Sequence, residues 1–295
     1  MSLFTGSGVA IVTPFKENEV DYNAFQRLIE WHIQEKTDAI IVFGTTGESA
    51  TLSVEEKKKI VEFAVKIAQK RTQIIAGTGT NDTKISIELS MHAEKAGADG
   101  LLLITPYYNK PTQRGLYAHF KAISEHVNIP IILYNVPSRT GVNLLPETVL
   151  ELSKIRQIKA IKEASADISQ IAKVIELVGN DFIVYSGNDD QTLPILALGG
   201  KGVISVTANI TPRLIHDQVI GYLNGEQKWV QSALQTRELH QVMFIESNPV
   251  PAKVSLYLMG FIEKDVRLPL VDLEEKNLVI LKNILKKYKL IGDQK

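Results

Sequence analysis

Lys162 lies in the segment Ile158-Lys159-Ala160-Ile161-Lys162-Glu163-Ala164, where strand alternation places Ile158, Ala160 and Lys162 on one face. Lysine is seldom buried without a partner, and an ammonium taken out of water loses the stabilisation of its charged form. The free amine that results attacks ketones, and desolvated lysines take this Schiff-base role with carbonyl substrates. The same residues also fit an edge strand whose lysine points at solvent. The choice between the two rests on what the remainder of the chain can place around Lys162.

Short apolar runs recur at Val9 to Val12, Ala39 to Phe43, Gln73 to Ala76, Gly100 to Ile104, Pro130 to Tyr134, Ile158 to Ile161, Phe182 to Tyr185 and Gly202 to Val206. Helical patterns lie between them, such as Val54 to Gln69, with Ile60, Val61, Ala64, Val65 and Ala68 on one stripe, and Ile85 to Ala96. Ser53-Val54-Glu55-Glu56 has the spacing of a capping box, and Thr211-Pro212 puts a capping hydroxyl before a proline suited to the first helical position. Near-continuous apolar strands imply burial on both faces, as in a parallel sheet. Eight strand and helix units in a chain of this length predict an α/β fold, a closed (β/α)8 TIM barrel over residues 1–225. Residues 226–295 are helical in pattern and form a C-terminal helical domain in this reading.

In such a barrel the active site forms at the C-terminal ends of the strands, where this sequence is richest in polar groups. Gly44-Thr45-Thr46-Gly47-Glu48-Ser49 follows the second run, Gly77-Thr78-Gly79-Thr80 the third and Pro106-Tyr107-Tyr108-Asn109 the fourth. Tyr134-Asn135 closes the fifth, Lys162 ends the sixth, Gly187-Asn188-Asp189 follows the seventh and Ser205-Val206-Thr207 ends the eighth. The first glycine loop lacks the lysine of a phosphate loop, and the second has Asp82 where a dinucleotide fingerprint has its third glycine. A carboxylate cradle remains open for Gly44 to Ser49, with hydroxyls from Thr45 and Thr46, beside an ordinary turn. Asp189 and Asp190 read as caps of the next helix, and Tyr107, Tyr108 and Tyr134 by default as packing aromatics.

Composition narrows the partners. The 295 residues are 44% hydrophobic and 22% charged, with 33 basic and 33 acidic side chains and no basic block, which points away from nucleic acid and anionic membranes and toward small molecules. Neither a secretory leader nor an apolar run of membrane-spanning length is visible, so a cytoplasmic protein is expected. Absence of cysteine excludes disulfides and thiolate zinc sites, and the 6 histidines show no metal-ligand spacing, so no metal is expected.

Taken together, Gly44 to Ser49, Thr105-Pro106-Tyr107-Tyr108-Asn109-Lys110-Pro111, Tyr134-Asn135-Val136-Pro137-Ser138-Arg139-Thr140-Gly141, Ile161 to Ala164 and Gly202 to Asn209 resemble the dihydrodipicolinate synthase family of pyruvate-dependent class I aldolases and lyases. The likeness extends to Asn248-Pro249-Val250-Pro251-Ala252-Lys253 and Leu268-Pro269. It implies the barrel with its helical tail and condensation of pyruvate with aspartate-4-semialdehyde in lysine and diaminopimelate biosynthesis. It further implies no cofactor and a homo-oligomer built from tight dimers, expected as a homotetramer.

By position, the resemblance makes Lys162 the Schiff-base lysine and Tyr134 the proton-shuttling tyrosine. Thr45 and Tyr108 match its hydrogen-bonded relay, Tyr108 crossing from the neighbouring subunit, and Thr46 matches the holder of the pyruvate carboxylate. Gly187 and Ile204 match positions lining the site, and Arg139 matches the arginine that receives the aldehyde substrate's carboxylate, for which a planar, always charged guanidinium is suited. Ser49, Ala50, Asn81 and Tyr107 match the family's lysine effector site. Val54 and Lys57 stand where sensitive members place histidines, and Ile85 where they place a glutamate, so weak or absent inhibition by L-lysine is expected.

Three other readings compete. An N-acetylneuraminate lyase or keto-deoxy sugar acid aldolase would keep the imine, yet Ser138-Arg139-Thr140-Gly141 favours a short substrate ending in a carboxylate. A non-catalytic barrel that senses keto acids is opposed by the joint presence of Lys162, Tyr134, Thr45 and Tyr108. Metal-dependent aldol chemistry lacks clustered ligands in the sequence.

Overall fold

The computed structural model describes residues 3–292. Eight strands form a closed parallel barrel: β1 Gly6–Ala10, β2 Ala39–Val42, β3 Gln73–Ala76, β4 Gly100–Ile104, β5 Ile131–Asn135, β6 Ile158–Glu163, β7 Ile183–Ser186 and β8 Gly202–Ser205. Each strand pairs with its sequence neighbours, and β8 closes on β1 through Gly6 opposite Gly202. A Cβ on Gly202 would lie 2.1 Å from the Gly6 carbonyl oxygen, so the seam closes only where the side chain is absent. All eight expected strands are present, although the first begins three residues earlier, at Gly6 rather than Val9.

Strand alternation sorts the side chains into two cores. Val9, Ile40, Val42, Ile74, Leu101, Leu103, Ile131, Leu133 and Val203 point outward into the helical shell, while Ala10, Ile41, Ile75, Leu102, Ile132, Tyr134, Ala160, Tyr185 and Ile204 fill the barrel interior. Phe4 closes the far end: its ring stacks on Tyr185 at 4.4 Å, and the Tyr185 hydroxyl donates to the Phe4 carbonyl at 2.5 Å.

One expectation about β6 is corrected. Ile158 packs with the outer core and Ala160 with the inner one, because the pairing of β5 with β6 slips between Ile131 and Ile132 and skips Lys159. A bulge leaves one residue unpaired and reverses the alternation, so Ile158 does not share the face of Ala160 and Lys162. The helices start as their caps dictate: Val54–Ala68 opens on the full capping box of Ser53 and Glu56, and Thr83–Ala96 on the side chain of Asp82. Thr211 precedes helix Pro212–Leu223 but makes no side-chain cap; its hydroxyl donates to the Thr207 carbonyl at 3.3 Å.

After the barrel come helices Lys228–Gln235, Arg237–Val242, Val250–Leu258 and Glu275–Lys287. Their segment is fastened to the loop after β2 by an ion pair with no solvent contact, Lys253 Nζ to Glu48 Oε1 at 2.7 Å, with side chains 0% and 1% exposed. Burial pulls the Lys253 pKa down while Glu48 opposes the change, and the ammonium lies 4.2 Å from the Phe15 ring centroid. The Arg267 backbone N–H donates to Glu48 Oε2 at 3.0 Å, and its guanidinium binds both oxygens of Glu56 at 2.6 and 3.1 Å. Hydrogen bonding from Arg267 holds the Glu56 carboxyl at about 2, below the usual carboxylate range.

Removal of one partner from a buried pair leaves an uncompensated charge, which costs about 3–5 kcal/mol. Lys253→Met is therefore expected to lower stability by that amount in denaturant titration, and Glu48→Gln with Lys253→Met should recover most of it.

Candidate active site

The strand ends converge on a cavity of about 230 Å³ lined by Thr45, Thr46, Tyr134, Arg139, Lys162, Gly187 and Asn248, among others. Lys162 sits in β6 itself, register-paired with Tyr134 on β5 and Tyr185 on β7. Its side chain is buried, makes no ion pair among the described residues, and holds Nζ 4.5 Å from the Tyr134 ring centroid. Adjacent residues in register share a face of the sheet, so the barrel brings amine and phenol together at one level. The Tyr185 ring, from the same level, turns down onto Phe4, and the two stacked rings fill the interior on the side away from the mouth.

On the opposite face of β6, Glu163 is fully buried and accepts from Asn135 Nδ2 at 2.7 Å and Ser165 Oγ at 2.5 Å. Burial pushes its carboxyl pKa up, against these hydrogen bonds. Asn135 Oδ1 in turn accepts from the Leu144 N–H at 3.0 Å, tying the ends of β5 and β6 to the chain beyond them. The strand carrying Lys162 is thus braced from behind by groups turned away from the cavity.

The loop after β2 is a tight turn: the N–H groups of Gly47 and Ser49 donate to the Gly44 carbonyl, and that of Glu48 to the Thr45 carbonyl. Among the described residues, the amides of Thr45 and Thr46 have no acceptor, and both residues line the cavity. Gly47 serves a neighbour rather than a ligand, since a Cβ there would meet the Phe43 Cα at 2.9 Å, whereas Gly44 lines the cavity. Thr46 is buried, and its Oγ1 accepts from Asn248 Nδ2 at 3.0 Å.

Arg139 lies exposed on the one-turn helix Pro137–Thr140, which Thr140 secures with a hydroxyl that lies within reach of the Val142 and Val136 carbonyls at 2.9 and 3.2 Å and gives its single proton to one of them or shares it between both. It borders both the Lys162 cavity and a second hollow of about 290 Å³ that is also lined by Ser49, Ala50 and Tyr107. Gly187 packs β7 against β6, with room for a Cβ denied by Ala164 Cβ at 2.7 Å.

Two of the expected site residues are not brought into this cavity. Tyr108 is 89% exposed with φ of 71°, and no hydrogen bond joins it to Tyr134 or Thr45 among the described residues. Ile204 is fully buried in the barrel interior and does not border the cavity; its neighbour Val206 does. The reading of Asp189 as a cap of the next helix is also corrected. Its carboxylate accepts from the Ser205 hydroxyl and from the N–H groups of Val206 and Thr207 at 3.0 and 3.1 Å, joining β7 to the end of β8. Conversely, Asn248 and Phe244 border the cavity from the C-terminal segment. No local signal identifies Phe244, and Asn248 stands out only through the Asn248 to Lys253 motif.

Comparison with known proteins agrees with this architecture. The Dihydrodipicolinate synthetase family matches residues 3–288. A relative from Thermoanaerobacter sp. (strain X514), 4-hydroxy-tetrahydrodipicolinate synthase, is 54% identical over 295 residues, covering 99% of each chain. The crystal structure of dihydrodipicolinate synthase from Aquifex aeolicus superposes with a TM-score of 0.97 at 47% identity, covering 99% of this chain and 100% of that one. The chloride-inhibited enzyme from Acinetobacter baumannii, solved in complex with pyruvate, gives 0.95 at 45% identity over 97% of this chain and 99% of that one. With a closed eight-stranded barrel and full-length likeness at this level, the chain belongs to the dihydrodipicolinate synthetase family.

Proposed function

We propose that the chain is a lyase that condenses pyruvate with L-aspartate-4-semialdehyde, acting as a 4-hydroxy-tetrahydrodipicolinate synthase in lysine and diaminopimelate biosynthesis. The observation that carries the reading is a buried lysine amine with no counter-ion among the described residues, facing Tyr134 at 4.5 Å in a cavity with Arg139 at its rim. With no carboxylate engaging it among the described residues, the amine is placed to attack a ketone.

Lys162 adds to the pyruvate ketone, and loss of water gives the protonated imine. That cation withdraws electrons, so a methyl proton leaves and the enamine forms. The enamine carbon attacks the aldehyde of the second substrate, and the amino group of the adduct displaces Lys162 as the ring closes. Thr46, with the two unpaired amides of its loop, binds the pyruvate carboxylate. Tyr134 moves protons with Thr45 and with Tyr108 from a partner subunit, because a phenol at neutral pH needs partners to do so. Gly187 lets the strands approach closely at the cavity wall, and Ile204 packs in the barrel interior without touching the cavity. Arg139 receives the carboxylate of the semialdehyde.

The same proposal makes residues 1–225 the catalytic barrel and 226–295 the appended helical domain, in a cytoplasmic protein. Among the described residues no helix is long and apolar enough to cross a membrane. The subunits assemble as tight dimers, paired into a homotetramer, which gives the 89% exposed Tyr108 a site to enter.

Borohydride with pyruvate should fix one adduct per chain on Lys162, and Lys162→Ala should abolish it. In the same assay Arg139→Ala should still trap pyruvate while losing roughly 1.5–3 kcal/mol in kcat/KM for the semialdehyde, the worth of a hydrogen bond to a charged group. An adduct on another lysine, or equal turnover of N-acetylmannosamine, would overturn the assignment.

The crossing tyrosine makes a distinct expectation. Mixed dimers of inactive Tyr108→Phe and inactive Lys162→Ala subunits should regain activity, since one of their sites holds both native groups. Exchange of subunits without recovery would place Tyr108 outside the relay.

Inhibition by L-lysine should be weak or absent. Ser49, Ala50 and Tyr107 line the second hollow, but Lys57 on the adjoining helix is buried and brings a like charge, and Ile85 supplies no carboxylate for the effector's ammonium. Steady-state assays at saturating pyruvate across a lysine titration decide this, with strong sub-millimolar inhibition as the contrary result.

A further inference from the structure

Asn248 belongs to the C-terminal helical segment, yet it is buried at 6% exposure and borders both the Lys162 cavity and the adjoining hollow. Its Nδ2 donates to Thr46 Oγ1 at 3.0 Å, and its Oδ1 has no partner among the described residues. A threonine hydroxyl has one proton to give and lone pairs to receive. With a lone pair already filled by Asn248, the proton is directed elsewhere, and among the described residues no acceptor takes it. The Thr46 hydroxyl is thereby set as a donor toward the cavity. A reversed amide would draw that proton to Oδ1 and turn an oxygen lone pair toward any bound carboxylate.

The placement of Asn248 is rigidly determined. The carbonyls on either side are engaged, Ser247 by the Val250 N–H at 3.0 Å and Pro249 by the Lys253 N–H at 2.9 Å. Five residues further on, Lys253 grips Glu48, which lies two residues beyond Thr46. Loop and tail are fastened together at two successive points, with the hydroxyl between them.

We propose that Asn248 is a positioning residue for the keto acid: by donating to Thr46 Oγ1 it fixes the hydroxyl proton on the substrate carboxylate. The inference rests on the reading of Thr46 as a carboxylate ligand given above. It makes the helical segment part of the pyruvate site rather than a cover for the barrel.

Asn248→Asp tests it, because an ionised carboxylate can only accept, so it pulls the Thr46 proton away and adds a negative charge. The pyruvate concentration for half-maximal borohydride trapping on Lys162 should rise about tenfold or more, the scale of a lost hydrogen bond to a charged group. Half-saturation by aspartate semialdehyde, measured at saturating pyruvate, should move much less. Lowering the pH should narrow the gap between Asn248→Asp and the wild type as the new carboxyl protonates and can donate again. Asn248→Ala, which removes the donor without adding charge, should show a smaller rise that disappears in the Thr46→Val background. Unchanged pyruvate affinity in Asn248→Asp, or an alanine effect that persists in full without the Thr46 hydroxyl, would overturn the proposal. Trapping of the wild type on Lys162 checks the underlying function independently.

Discussion

The hydrogen-bonded register of the closed barrel is the constraint from which the site follows. Pairing of Tyr134 with Lys162 and of Lys162 with Tyr185 puts three interior side chains at one level, because residues in register across a parallel sheet face the same way. Tyr185 turns its hydroxyl to Phe4 and closes the interior beneath, leaving amine and phenol as the deepest groups open to the mouth. The bulge opposite Ile131 and Ile132 is part of the same arrangement. It shifts the phase of β6 by one residue, so that Ala160 and Lys162 point inward while Ile158 seals the shell.

Two buried lysines show how surroundings assign opposite roles to one side chain. Lys253 is enclosed with Glu48 at 2.7 Å and the Phe15 ring, and its charge is spent on attaching the tail to the catalytic loop. Lys162 is nearly as buried but has no carboxylate paired with it among the described residues, and the acid next in sequence, Glu163, points to the other side of the sheet, where Asn135 and Ser165 bind it. Separation of Glu163 from the amine by the sheet leaves Lys162 free for a substrate carbonyl.

The polar network around the loop after β2 joins catalysis to architecture. Glu48 takes Lys253 and the Arg267 N–H, Glu56 takes the Arg267 guanidinium, and Thr46 takes Asn248. Each of these contacts spans more than two hundred residues of sequence and brings a group from the tail to the loop or the helix of the second barrel unit. A hydroxyl that must present its proton in a fixed direction benefits from being held by groups that cannot move independently.

The sequence by itself determined the barrel, because eight apolar runs separated by helical stripes and capping signals are local patterns and leave few ways to bury both faces of the strands. It also located Lys162, Tyr134, Thr45, Thr46 and Gly187 at strand ends, and Arg139 through the resemblance of its Ser138 to Gly141 stretch, and the closed sheet then gathers them into one cavity. What it left undecided was set by partners distant in the chain. The bulge at Lys159 depends on how β5 and β6 pair, and the carboxylate of Asp189 finds the end of β8 rather than its own helix. Ile204 lies beneath the cavity because its register on β8 turns it into the packed interior. Tyr108 is held out from the surface, away from its own Tyr134. Asn248 is adjacent to Thr46 only once the helical tail has folded back over the mouth, since no spacing within either segment encodes a contact across 202 residues.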